Sequence, residues 1–278
     1  MTTSISDELA ASLPIARRIR PTHGYYRKPN GDIGIATNTE LEQLRYIKEG
    51  WKFLGDPKEF SQKYYQAGID EIIYLDSVAS LYNRDILKNI VAETTKNVFI
   101  PITAGGGVRS VDDAYELLRA GADKIAINTA AVKDPGLISG VAGRFGAQCM
   151  VLYIEAKKVQ DGKWEAYIDN GRQPTGLDVL DWVKRAVKQG AGEILLTSVD
   201  RDGTGKGFDV DLVKAVTRIS TVPVIASGGM GKASDLDDLL KSAAPDAVAI
   251  AKAFHYNQVT VEELRKVAIQ NNFAARTL

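Results

Sequence analysis

Cysteine is nearly absent: Cys149 is the only one in 278 residues. That excludes an intrachain disulfide framework and any Cys-rich zinc site, and it fits a reducing cytoplasm, where the chain is expected. Net charge is also absent, with 35 basic side chains against 35 acidic ones. No bulk electrostatic attraction therefore draws the chain to nucleic acid or to an anionic membrane. No apolar run approaches the ~20 residues that span a bilayer. The opening stretch MTTSISDELAASLP lacks a basic n-region and an apolar h-region, so it does not read as a signal peptide. Residues 1–14 are expected to form a short polar extension, and residues 15–278 one domain. No residue pattern asks for a cofactor or a metal. What is plentiful is apolar: 45% of the residues are hydrophobic, enough to bury a full core and to exclude disorder for most of the chain.

Short runs dense in Ile, Val and Leu alternate with segments of helical period. Strands are expected at 18–22, 71–76, 98–103, 124–128, 150–155, 193–197, 222–226 and 247–251. They show little polar alternation, as strands buried on both faces of a parallel sheet do. Helices are expected at 57–67, 84–95, 111–120, 135–144, 177–189, 210–219, 233–241 and 261–270. Asp56-Pro57 is a cap followed by a first-turn proline, Ser110 and Ser234 read as N-caps, and Gly68 and Gly190 close helices. Eight strand-then-helix units in this length predict a (β/α)8 barrel. A doubly wound sheet is the competitor, but no GxGxxG follows the first strand.

The chain also repeats itself. FIPITAGGGVRSVDDAYELLRAGADKIAINTA (99–130) aligns with TVPVIASGGMGKASDLDDLLKSAAPDAVAIAKA (221–253), and GIDEIIYLD (68–76) with GAGEILLTS (190–198). Pro101 matches Pro223, Ala104 matches Ala226, and Gly106-Gly107 match Gly228-Gly229. Two half-barrels of four units each follow, with two related ligand sites at the mouth.

Functional groups of a barrel sit at the C-terminal ends of its strands. Strand 3 ends in Gly105-Gly106-Gly107, strand 4 in Asn128-Thr129, strand 7 in Ser227-Gly228-Gly229, and strand 8 in Ala251-Lys252. Glycines let backbone N–H groups approach an anion, and a helix N-terminus behind them favours phosphate. One Gly-Gly pair reads equally as a tight turn; two pairs at matching positions point to a ligand with a phosphate at each end. Strand 6 ends in Thr197-Ser198-Val199-Asp200-Arg201-Asp202-Gly203-Thr204, a strand-end carboxylate followed by Gly-Thr that suits hydroxyl or phosphate contacts or an Asx-type turn. Glu155, at the end of strand 5, is a candidate general acid/base; the alternative is an ion pair with Lys157 or Lys158 in the following loop. The two-fold repeat leads one to expect a second carboxylate after strand 1. The residues there are Thr22-His23-Gly24-Tyr25-Tyr26-Arg27, so His23 is the candidate titratable partner. Residues 28–54 read as an active-site lid.

PITAGGGVRSVDDAYELLRAGADKIAINTAAV, FGAQCMV, GRQPTGLDVLDWV, GAGEILLTSVDRDGTGKGFDVDLV and VPVIASGGMG resemble the cyclase subunit of imidazole glycerol phosphate synthase, the HisF family of histidine biosynthesis. The resemblance runs from about residue 15 to the C-terminus. It implies a two-fold (β/α)8 barrel that takes ammonia from a glutaminase partner docked at the barrel bottom and uses it on a ribonucleotide with two phosphates. It also implies an ammonia gate of Arg18, Glu71, Lys124 and Glu193, with Asp123 at the docking face. Phosphate contacts fall on Gly106, Gly107, Asn128, Thr129, Asp202, Gly203, Gly228 and Gly229. Two departures stand out: the family's strand 1 Asp is Gly24 here, and its second catalytic Asp is Glu155. The phosphate serine after strand 8 is Lys252. These departures lead one to expect a specialised paralogue that delivers ammonia to another phosphorylated substrate. The alternatives are the histidine-pathway cyclase itself, with His23 and Glu155 as its pair, or a non-catalytic ammonia-conducting scaffold.

Overall fold

The computed structural model describes residues 24–27, 33–36, 52–76 and 85–276. Seven parallel strands alternate with helices among them: β4 (Ile72–Leu75), β5 (Ile102–Gly105), β6 (Lys124–Ile127), β7 (Met150–Gln160), β10 (Glu193–Ser198), β11 (Val224–Ser227) and β12 (Ala247–Ala249). Their spatial order is β12-β11-β10-β7-β6-β5-β4. In a flat sheet the outer two of these would stand roughly 29 Å apart, six spacings of about 4.8 Å. Instead Ile73 and Leu75 from β4 and Ala249 from β12 pack on one cluster formed by Ala126, Val151, Leu195 and Ile225. The sheet therefore curls around its own interior, and the fold is a (β/α)8 barrel.

Alternation along each strand fills two compartments. Ala126, Val151, Leu195 and Ile225 point into the barrel, while Ile125, Leu152, Ile154, Ile194, Leu196 and Val224 face the helices in a second, larger cluster. This two-sided burial produces the unbroken aliphatic runs of the sequence.

The outer layer comprises α1 (Pro57–Gln66), α2 (Asp85–Thr94), α3 (Val111–Arg119), α4 (Thr129–Lys133), α5 (Gly136–Phe145), α6 (Val179–Lys188), α7 (Val210–Thr217), α8 (Ala233–Ser242), α9 (Lys252–His255) and α10 (Val261–Gln270). Asp56 caps α1 by accepting from Lys58 N–H at 2.8 Å, with Pro57 at the first turn. Ser110 caps α3. The outer layer meets across the seam between the first and last units. Arg265 of α10 donates to the Asp70 carboxylate at 3.0 Å, and the Tyr64 hydroxyl pairs with His255 Nδ1 at 2.7 Å.

The internal repeat holds at the level of single hydrogen bonds. Ile72 N–H donates to Pro101 O at 3.0 Å, and Ile194 N–H to Pro223 O at 2.9 Å. Asp123 Oδ2 accepts from Ile102 N–H at 2.8 Å, and Asp246 Oδ2 from Val224 N–H at 2.8 Å. Asp113 accepts from Arg109 N–H and Asp235 from Gly231 N–H, both at 2.8 Å. The second half departs at its cap. Lys232, not Ser234, occupies the N-cap position of α8, and the Asp235 carboxylate takes both the Gly231 and Lys232 N–H groups.

The glycine pairs make close backbone contacts in both halves of the repeat. Gly106 has φ +96°, and a Cβ there would overlap the carbonyl oxygen of Asp76; a Cβ on Gly228, at φ +89°, would lie 2.9 Å from Ser198 O. Gly106→Ala is expected to cost about 3 kcal/mol, from left-handed strain and overpacking together. Thermal unfolding measures this, and a variant as stable as the wild type would show that the loop yields freely.

Several boundaries differ from expectation. β5 and β11 begin later than expected, because Pro101 and Pro223 have no N–H for the ladder and serve as acceptors at the strand entrances. β7 runs on to Gln160 and folds back through β8 (Lys163–Ile168) and β9 (Gln173–Asp178) as an antiparallel arm. Lys157 and Lys158 are thus strand residues, and Leu177 lies in β9 rather than opening a helix. Within the stretch read as a lid, β2 (Ile33–Ala36) and β3 (Lys52–Gly55) pair antiparallel with β1 (Gly24–Arg27). The expected first barrel strand, 18–22, lies outside the described residues.

Candidate active site

Glu155 is the focus of the barrel mouth. It lies inside β7, at the level where parallel pairing with β10 ends opposite Thr197 and Ser198, rather than at the end of its strand. Its carboxyl group is 6% exposed and every described contact is neutral. Asn128 Nδ2 donates to Oε2 at 2.8 Å, Gly171 N–H to Oε2 at 3.1 Å, and the Tyr153 hydroxyl to Oε1 at 3.2 Å. Burial outweighs these three donors, and the Asp202 charge adds to it, so the pKa is pushed up to about 7. Burial without a cationic partner is the arrangement that tunes a carboxyl group for proton transfer near neutral pH. Neither lysine pairs with it. The Lys157 ammonium lies over the Tyr167 ring at 5.4 Å, and Lys158 pairs with Asp161 at 2.8 Å.

The antiparallel arm holds this arrangement. Trp164, Ala166 and Ile168 of β8 are buried, and Trp164 Nε1–H bonds Asp209 at 3.0 Å. The β8–β9 turn places Asp169, Asn170 and Gly171 at successive positive φ values of 55°, 57° and 70°. That conformation aims the Gly171 N–H at Glu155. Asn128 is fixed from the same side, donating also to Tyr167 O at 3.1 Å. The arm was readable from its hairpin dipeptides, Asp161-Gly162 and Asn170-Gly171, with alternation between them. Tyr153, Thr197 and Gly171 were missed because none of these types is chemically conspicuous alone.

Two groups of expected phosphate residues form at the mouth. In one, a Cβ on Gly228 would lie 3.4 Å from Asp202, and Gly207 N–H donates to Gly229 O at 2.9 Å. Lys252 opens α9 rather than ending a strand, and its ammonium donates to Gly203 O at 2.5 Å. Asp202, Gly203, Gly228, Gly229 and Lys252 thus lie close together beside the exposed Thr204. In the other group, Gly106 and Gly107 turn over Asp76, while Asn128 and Thr129 adjoin Glu155 and the arm; Thr129 Oγ1 accepts from Asp169 N–H at 3.3 Å.

At the opposite end of the barrel, Lys124 Nζ lies 2.9 Å from Glu71 Oε2 and 2.8 Å from Glu193 Oε2. Thr103 donates to the second Glu71 oxygen. Burial alone would lower the Lys124 pKa; the two carboxylates outweigh it and hold the ammonium above its usual range. Asp123 is exposed beside this triad. Its carboxylate also secures the start of β5, a role shared with Asp246 that the sequence reading did not anticipate. Arg18 and His23 lie outside the described residues. Among the described residues, no group of three His, Cys, Asp or Glu side chains could hold a metal ion, and no helix is long and apolar enough to cross a membrane.

The family described as "Histidine biosynthesis protein" matches residues 44–260. Over 189 residues, covering 68% of this chain and 89% of the relative, the sequence is 60% identical to imidazole glycerol phosphate synthase subunit HisF of Legionella pneumophila. Over 223 residues, 80% of this chain and 89% of the relative, it is 43% identical to the protein of the same name from Streptococcus mutans serotype c. The chain belongs to the HisF family. It is therefore an enzyme of the HisF-like synthase type. The family match spans Glu155, the Lys124 triad and the glycine loops through Lys252. The HisF relationship also favours the histidine-pathway alternative over the specialised paralogue that Gly24 and Glu155 led one to expect.

Proposed function

We propose that this chain is the cyclase subunit of imidazole glycerol phosphate synthase, using ammonia from a glutaminase partner on a ribonucleotide with two phosphates. The observation that carries the reading is Glu155: a buried carboxyl with no cationic partner among the described residues, between two glycine-lined loop groups, at the mouth of a barrel whose other end holds a partly buried charge triad. The relatives' shared name supports the substrate class. Glu155 takes a proton from the reacting nucleotide or ammonium and returns it to the leaving oxygen. Asn128 and the Gly171 N–H keep its carboxyl aimed. The glycine loops, with Thr129, Thr204 and Lys252, receive the phosphates. Lys124, Glu71 and Glu193 form the described part of the entry for ammonia, with Asp123 on the docking face.

The test uses the purified chain, the histidine-pathway nucleotide and saturating ammonium. Turnover is expected, and added glutaminase should form a 1:1 species in gel filtration and support turnover from glutamine. A folded chain inert toward that nucleotide would overturn the reading. It would return weight to the specialised-pathway alternative, whose supporting observation is Gly24 in place of the family's strand 1 Asp.

A further inference from the structure

Tyr153 points a bulky polar side chain into the barrel. Residues 151, 153 and 155 of β7 alternate inward, and Tyr153 packs on the interior cluster of Ala126, Val151, Leu195 and Ile225. Its hydroxyl donates to Glu155 Oε1 at 3.2 Å, with the Thr197 side chain beside it. In register, Tyr153 stands opposite Leu195 of β10, and Thr197 opposite Glu155. The phenol thus rises from one layer of the interior to the underside of the carboxyl in the next. Small residues, Ala126 and Ala249 among them, line the same interior and leave room for the ring.

We propose that Tyr153 is a positioning residue for the Glu155 chemistry: its hydroxyl supports the carboxyl from inside the barrel and holds the Oε2 edge toward Asn128 and the mouth. This rests on the reading of Glu155 as the acid/base group. The roles of the two oxygens differ accordingly. Oε2 is held by Asn128 and Gly171 at the mouth, and Oε1 by Tyr153 from within. Burial and the charges of Glu155 and Asp202 push the phenol well above its usual pKa, so it remains an O–H donor at working pH. Among the described residues, the other groups facing the pair are Asp202 after β10, the only charged one, and the neutral Asn128, Thr197 and Gly171 N–H. The Tyr153 donor favours the ionised carboxylate, so its removal makes Glu155 harder to ionise.

The test is Tyr153→Phe, which keeps the ring and its packing. Turnover from ammonium should fall about tenfold, the size expected for losing one hydrogen bond to a charged group, with KM for the nucleotide unchanged. The acid limb of the pH profile should move to higher pH. In a Glu155→Gln background the same substitution should cause little further loss. Titration of Glu155 by carboxyl 13C NMR should show the same upward movement without any turnover. If the wild-type chain does not act on the nucleotide, the functional reading fails while the titration still decides this one. An unmoved Glu155 titration in folded Tyr153→Phe would overturn the proposal, as would losses that simply add in the double variant.

Discussion

Replacing Glu155 with glutamine is expected to lower turnover from ammonium by roughly a hundredfold or more, the usual cost of deleting a general acid/base. Glutamine keeps the size of the side chain and most of its hydrogen bonding, so the fold should survive. Stability and activity should in fact diverge. The Glu155 pKa is raised from 4.5 to about 7 by burial, so the native state holds this proton more tightly than the unfolded chain does. The resulting stabilisation is complete below about pH 4.5 and is lost as pH rises through about 7. Above pH 7 the native protein carries a buried carboxylate, with no cationic partner among the described residues, that glutamine does not. Glu155→Gln should therefore unfold at a temperature no lower than the wild type at pH 8, while turnover collapses. Wild-type kcat/KM should rise with pH about a midpoint near 7, and this limb should vanish in the variant. A variant that retains most of the activity would remove Glu155 from the mechanism.

The parts of this site that were legible in the sequence are those specified by local residue patterns. The glycine pairs announced themselves because a positive φ and a close backbone approach exclude other residues. The repeat at an offset of 122–123 residues placed them at equivalent barrel positions. Glu155 was legible as a carboxylate within an aliphatic strand. Its environment was not, because Asn128, Tyr153, Thr197 and Gly171 come from three strands and the β8–β9 turn, and only folding assembles them. The extension of β7 into an antiparallel arm was missed because the aliphatic run ends at Glu155, although the Asp161-Gly162 and Asn170-Gly171 dipeptides mark the turns of the hairpins that continue it. Asp123 shows a role the sequence reading left out. Resemblance suggested a docking residue, and the hydrogen bond from Ile102 N–H, repeated by Val224 N–H to Asp246, shows that this carboxylate also closes the start of a strand.

Lys124→Met should have the second large effect, at the other end of the barrel. The ammonium bridges Glu71 and Glu193, whose strands are separated by three others in the sheet. Lys124 and Glu71 side chains are each 23% exposed and that of Glu193 14%. Removing the cation leaves two carboxylates sharing a partly buried site, at an expected cost of about 3 kcal/mol, the lower end for breaking a buried ion pair. Stability alone does not establish a role in ammonia passage, so the decisive comparison adds Glu71→Gln and Glu193→Gln to the same chain. Replacing the whole charged set by neutral groups of similar volume is often neutral or stabilising, so this triple variant should recover most of the lost melting temperature. Turnover from added ammonium should recover with it, since the mouth is untouched. Turnover from glutamine through the partner should stay low if the charges admit ammonia to the barrel. Full recovery of both would make the triad a purely structural device.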